Sequence, residues 1–443
     1  MRRRVVGFVC VAILTLHSNG PVRAQEHDLE RVLDLIPAIS FEAIDPPEGF
    51  TASYELRVRQ NIDHDDPIRG AFLQRVFLNY RDANRPTVLV TNGYSRANNR
   101  PTELSQYLGA NEVSVEHRYF GASIPNSLDW SFLNLEQATA DLHSVRELLA
   151  ELLPGPWVAS GRSKGGMTTI AFGYFFPDDV SASVPYVAPL QTSLEDERIY
   201  AYLRSAGTPE CRSDQQAFQR FMLRERDQVL TRLKWFAKGR GWTFEYMGLE
   251  AAFEYAVLEY PFSFWQNGFD CGAIPESGIE DREAAVDRGL EYLDAVVGFS
   301  LYSDQGIEQY GPHYFQAATQ TGYYGFETEP FVDLLEALPA EPNAAFVPKG
   351  LDARYDPTLL MRITEWVRSE AKNFIFLYGA LDTWTSAAAE ISPESNSIKF
   401  VLPGRHHGDA TIANLSDENR ERMRAALEEW MGITLCSELW SGR

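Results

Sequence analysis

The chain has 443 residues, 44% hydrophobic and 23% charged. These are ordinary values for a folded protein with a sizeable core, and they exclude a disordered, collagen-like or coiled-coil polypeptide. With 40 lysines and arginines against 62 aspartates and glutamates, the formal charge is −22, which argues against a nucleic-acid partner, whose phosphates need clustered cations, and against an anionic membrane surface.

Residues 1–24 read as a secretory signal peptide. Arg2, Arg3 and Arg4 form its positive start, Val5 to Leu16 its apolar stretch, and the small residues Val22 and Ala24 place cleavage before Gln25. The apolar stretch is shorter than the roughly 20 residues that cross a bilayer, and no later run approaches that length. Secretion, extracellular or periplasmic, is the expectation, with no membrane contact after the leader is removed. Export permits disulfides. Cys10 leaves with the leader, so Cys211, Cys271 and Cys436 allow one bridge, and Cys211–Cys271 is expected because both lie in the same middle segment.

Residues 53–60, 71–80 and 87–91 alternate or run apolar and β-branched and read as strands, the third ending at the turn signal Asn92-Gly93. Another strand is expected over 111–119. Residues 134–153 carry Leu135, Ala138, Leu142, Val145, Leu149 and Leu152 at helical spacing, with Asn134 as N-cap. A short strand at 157–160, a helix at 168–176 and a strand at 180–187 follow. The strand–helix alternation implies a mostly parallel α/β sheet flanked by helices. It breaks near Pro189. Residues 190–350 are helical and aromatic-rich, and the alternation resumes with a helix at 356–369, strands at 373–378 and 398–402, and a helix at 416–431 that Gly432 can cap. One α/β domain, 25–189 plus 351–443, interrupted by a helical cap at 190–350, accounts for this order.

The local signal for chemistry is Gly161-x-Ser163-x-Gly165, between a strand and a helix. A nucleophile elbow puts its serine in a strained turn there, and glycines two residues to either side avoid clashes. The hydroxyl needs a base and the base an orienting carboxylate, in the chain order Ser, acid, His, at later strand ends. Asp382 follows the strand 373–378, and His406-His407-Gly408 follows the strand 398–402. His407 is preferred to His406 because Gly408 permits a tight loop. A metal site at His406, His407 and Asp409 is not favoured, since no second ligand cluster exists, and no metal or cofactor is expected. The oxyanion donors expected are the backbone N–H groups of Lys164, whose side chain should point elsewhere, and of Tyr94. His117 and His143 read as structural histidines.

The segments Gly161-Arg-Ser163-Lys-Gly-Gly-Met-Thr168, Val115-Glu-His-Arg-Tyr-Phe-Gly121, Leu135-Glu-Gln-Ala-Thr-Ala-Asp-Leu142 and Pro403-Gly-Arg-His-His-Gly408 stand in this order in the chain. With them the chain resembles the secreted bacterial prolyl tri/tetrapeptidyl aminopeptidases, over about 50–432, and more distantly the prolyl carboxypeptidase and dipeptidyl-peptidase group. The resemblance implies an α/β-hydrolase fold with an inserted helical cap, a Ser163-Asp382-His407 triad, peptide substrates cut near their N-termini with a leaning toward proline, and no cofactor. An aminopeptidase must also hold an α-ammonium, for which Glu116 is one choice; a buried partnership with Arg118 or Arg162 is the other reading of that residue. A proline pocket would be aromatic, and Trp265 and Trp384 are the candidates. An esterase or lipase with the same triad, and a non-catalytic secreted protein on this fold, are the alternative readings.

Overall fold

The computed structural model describes residues 29–126, 128–276, 281–338 and 346–441; the expected leader lies outside them. Strands β1 (Ile39–Ile44), β2 (Ala52–Asn61) and β3 (Ala71–Tyr80) pair in antiparallel fashion in that order. The other strands among the described residues are β4 (Thr87–Thr91), β5 (Asn111–Val115), β6 (Trp157–Arg162), β7 (Ala182–Tyr186), β8 (Ile375–Gly379) and β9 (Ile398–Leu402). They complete one sheet in the order β1-β2-β3-β5-β4-β6-β7-β8-β9, in which β3 runs antiparallel to β5 and every later pairing is parallel. The strand order reverses beside β4, so the ends of β4 and β6 border the crevice where open α/β sheets bind ligands.

The central strands are buried on both faces, which explains their continuous apolar runs. In β4, Val88 and Val90 join a cluster with Leu104 and Leu108 of α1 (Glu103–Leu108) and Met423 and Leu427 of the helix Asp417–Met431. Leu89, pointing the other way, joins Leu142, Val145 and Leu149 of α2 (Leu135–Leu149) and Phe172 of α3 (Lys164–Phe175). Asn134 caps α2, its side chain accepting the Gln137 N–H at 2.8 Å. The fold is that of an α/β hydrolase.

Between β7 and the helix Thr358–Ser369 lie α4 (Glu197–Leu203), α5 (Pro209–Arg224), α6 (Arg226–Arg240), α7 (Leu249–Asn267), α8 (Arg282–Val297) and α9 (Asp304–Gln316). They share an apolar core of their own, in which Phe218, Phe253, Phe264, Leu293 and Phe299 are buried. A disulfide between Cys211 and Cys271 ties the start of α5 to the turn after α7. The C-terminal half of α7 docks on the sheet: the Phe262 carbonyl accepts from the Thr383 hydroxyl at 2.9 Å, and the Gln266 carbonyl accepts from the His407 N–H at 3.1 Å.

Some local expectations differ from what the fold shows. β1 and α1 stand outside the elements expected from the sequence. The strand expected over 111–119 stops at Val115, because the chain turns at Glu116 and Tyr119 takes a left-handed φ of 67°. The helix expected from Thr168 begins at Lys164, so Gly165 and Gly166 belong to its first turn and not to a loop.

Candidate active site

Ser163 stands between β6 and α3 with φ 56° and ψ −125°, a conformation that a residue with a side chain keeps only under constraint. The constraint is visible. Its N–H donates to the Tyr186 carbonyl of β7 at 2.9 Å. A Cβ on Gly161 would lie 2.4 Å from the Gly165 carbonyl oxygen, and one on Gly165 would lie 2.4 Å from that of Thr91. Only glycines let the strand, turn and helix approach this closely, which is why the spacing is Gly-x-Ser-x-Gly.

Asp382 follows β8 in a tight turn, its N–H donating to the Gly379 carbonyl at 3.1 Å. The carboxylate is fully buried. One oxygen accepts the Trp384 N–H at 3.1 Å, and the other lies 2.8 Å from Nδ1 of His407. The His407 loop is clamped from two sides: its N–H reaches Gln266 on α7, and its carbonyl accepts from the Arg162 guanidinium at 2.6 Å. Arg162 also reaches the Ala410 carbonyl at 3.3 Å. His406 turns away from Asp382. Its ring packs against Gly268, and its Nε2 lies 3.6 Å from Asp409. Ser163, His407 and Trp384 line one cavity of about 560 Å³, walled by α7 and α9.

Lys164 is the first residue of α3, so its N–H is among the donors that a helix leaves without an internal partner. Tyr94, in the loop after β4, faces the same cavity. Lys164 is not among the residues that line the cavity. It is buried, Nζ donates to the Gly93 carbonyl at 2.9 Å, and the ammonium lies over the rings of Tyr94 and Phe120 at 5.6 and 5.3 Å. Burial pulls its ammonium down to about 7. The half-buried His313 of α9, against the Tyr94 ring, is held down to about 3 by desolvation and then by the Lys164 charge, and so is neutral.

Two sequence expectations need correction. Glu116 is fully buried away from the cavity. Its oxygens accept from the backbone N–H groups of Arg96 and Ala122 and from the Ser123 hydroxyl at 2.7–2.8 Å, and Arg75 lies 3.6 Å away. A carboxylate so saturated has nothing to offer a substrate, and its cation is neither Arg118, which grips Asp141, nor Arg162. Trp265 is also core, not pocket: it packs edge-on against Phe264 and covers Gly207 inside the helical segment. Trp384, in contrast, is in the cavity wall, within an aromatic group with Phe262, Tyr323 and Tyr324 at centroid distances of 5.0–5.7 Å.

One carboxylate in the cavity escaped the sequence reading. Glu259, on α7, lines the same space as Ser163 and His407. Its signal was an acid in a helix buried nearly all round, where an ionisable group is costly unless it has a use.

A family profile described as PS-10 peptidase S37 matches residues 23–438. The chain is 31% identical over 437 residues to the prolyl tri/tetrapeptidyl aminopeptidase of Streptomyces mobaraensis, an alignment covering 97% of this chain and 90% of that one. It is 33% identical over 99 residues to the lysosomal Pro-X carboxypeptidase of Homo sapiens, 20% of each chain. Among solved structures, a proline iminopeptidase of Mycobacterium smegmatis aligns with 89% of this chain and 98% of its own, at 11% identity and a TM-score of 0.36.

Proposed function

The chain belongs to the PS-10 peptidase S37 family and is a serine peptidase, and from that premise we propose that it is an exported exopeptidase releasing tri- and tetrapeptides from peptide N-termini, with proline accepted at the cleaved position. The observation that carries the catalytic part is the 2.8 Å contact between buried Asp382 and Nδ1 of His407, on the wall of a cavity that Ser163 shares.

With Nδ1 engaged by Asp382, the other ring nitrogen of His407 is the one available to the serine. In the proposed sequence it takes the Ser163 proton as the hydroxyl attacks the scissile carbonyl, and Asp382 holds the ring in place and stabilises the imidazolium. The N–H groups of Tyr94 and Lys164 bind the tetrahedral oxyanion. His407 then passes the proton to the leaving amine, leaving an acyl-enzyme on Ser163. Water, deprotonated by the same ring, releases the short peptide. The reaction needs no cofactor in this reading.

The aromatic group around Trp384 supports the proline preference, because a flat apolar slot suits a rigid ring. Residues 190–350 act in this reading as a cap that admits a chain end and excludes folded protein. Export rests on the leader read at residues 1–24, and the Cys211–Cys271 bridge suits an oxidising compartment.

A panel of amino-terminally free and blocked peptides, with matching esters, tests the proposal when products are read by mass spectrometry. Release of tri- and tetrapeptides from free N-termini supports it. Carboxy-terminal trimming, or esters turned over with peptides untouched, overturns it. Failure of a fluorophosphonate to label Ser163 would leave only a non-catalytic role.

A further inference from the structure

Glu259 is one of two buried glutamates on α7, and the contrast between them is informative. Glu254 is satisfied as buried carboxylates usually are, by the Arg226 guanidinium and by the backbone N–H groups of Glu336, Ala337 and Leu338. Glu259 has only hydroxyl partners: Tyr324, which lies 2.8 Å from both carboxylate oxygens, and Ser263 at 2.9 Å. Among the described residues no lysine, arginine or histidine forms an ion pair with it. The hydroxyls fix the plane of the carboxylate without neutralising it. Tyr302, Tyr314 and Tyr323 stand with it in the cavity wall, and their electron-rich faces favour a cation over an anion. Desolvation pushes its carboxyl up to about 7, so a bound cation would draw it back to the charged form.

We propose that Glu259 is the binding site for the α-ammonium of the substrate's N-terminal residue. The ligand class is a primary or secondary amine at a chain end, and a buried carboxylate without a cation, inside the cavity that holds the nucleophile, is the complement of that group. The site rests on the aminopeptidase reading and deepens it. Glu259 on α7 and Ser163 at the head of α3 are fixed points of a packed structure, so the length of peptide that can stretch between them is fixed too. An ammonium anchored at Glu259 makes the distance to Ser163 a ruler, which explains how an exopeptidase can release oligopeptides of defined length. N-terminal blocking removes the charge and leaves Glu259 facing an amide.

The test compares kcat/KM for a peptide with a free amino terminus and for its N-acetylated form, in wild type and in Glu259→Gln. The wild type is expected to prefer the free peptide by about 100-fold, the scale on which an unpaired buried charge is penalised. Glu259→Gln should bring that preference close to one, and fluorophosphonate labelling of Ser163 reports whether the nucleophile is intact in the variant. Tyr324→Phe, which removes the hydroxyl that orients the carboxylate, should reduce the preference part of the way. Because the readout is a ratio, a partly unfolded preparation lowers both rates without moving it, and Tyr324→Phe supplies the answer if Glu259→Gln does not fold. A strong preference that survives both substitutions overturns the assignment of Glu259 alone. A wild type that cleaves free and acetylated peptides equally overturns the aminopeptidase reading itself.

Discussion

The Lys164 ammonium donates to the Gly93 carbonyl at 2.9 Å, and that carbonyl is the far end of the peptide unit whose N–H belongs to Tyr94. The two proposed oxyanion donors are thus tied through one residue, which supplies the first from its backbone and holds the second with its side chain. A donor on the carbonyl polarises the peptide unit and makes its N–H a better donor in turn. Replacing Lys164 by Met keeps the bulk of the side chain and removes this grip. Lys164→Met should lower kcat by about 10- to 100-fold, somewhat less than deleting an oxyanion donor outright, with KM little changed. A kcat equal to that of wild type would show that the side chain only fills space.

Asp382 meets His407 and not His406, so the two neighbouring histidines should separate sharply on substitution. His407→Ala and Ser163→Ala are each expected to cost on the order of 10⁴-fold or more in kcat, the scale seen when either member of such a pair is removed. His406→Ala, which loses packing on Gly268 and a contact to Asp409, should stay within about tenfold of wild type. Peptide anilide kinetics decide this, and equal losses at the two positions would refute the assignment.

Trp384 is the aromatic residue nearest in sequence to the proposed triad acid, and it faces the cavity. If its ring forms the proline slot, Trp384→Leu should lower the ratio of kcat/KM for a proline substrate over its alanine counterpart by about tenfold, the lower end of what a pocket contact contributes to discrimination. An unchanged ratio with a uniform loss would place the selectivity elsewhere in the wall.

Glu259 also has a consequence for stability. Its carboxyl titrates near 7 in the folded chain and near 4.5 when exposed, so between those values the folded state holds a proton that the unfolded state has lost. Stability therefore falls as pH rises through that window. Below about 4.5 both states are protonated and the term vanishes; above 7 it reaches its full size, on the order of 3 kcal/mol. Glu259→Gln, which stays neutral, should match wild type at pH 4.5 and be more stable at pH 8 by urea denaturation. A wild type that is the more stable at pH 8 would show that the carboxylate is ionised and satisfied in the empty cavity.

The Cys211–Cys271 bridge closes a loop with a sequence separation of 60. Chain-entropy arguments assign such a loop about 4 kcal/mol of stabilisation. Cys211→Ser should therefore lower the midpoint of thermal unfolding, and the helical segment should gain proteolytic sensitivity before the sheet does. Equal sensitivity of both would mean that they unfold as one unit.

Much of this protein is legible residue by residue because the causes are local. The glycines at 161 and 165 are required by backbone atoms within a few residues or on adjoining strands, and Asp382 and His407 stand where strands written in apolar runs come to an end. Strand edges and helix faces are periodic features, so their order along the chain already sets out Ser163, Asp382 and His407 in sequence. Partner choice is another matter. β1 and the antiparallel placement of β2 and β3 depend on which edges meet, and no window of sequence states that. The two carboxylates make the same point. Glu116 and Glu259 both interrupt apolar stretches and look alike in the sequence, yet one is saturated by amides from a loop that folds back over it, and the other faces open space because α7 and α9 pack apart over the sheet. Trp265 and Trp384 divide in the same way. Burial and cavity exposure are set by contacts between elements up to several hundred residues apart, and a side chain's availability for chemistry is what remains after those contacts are made.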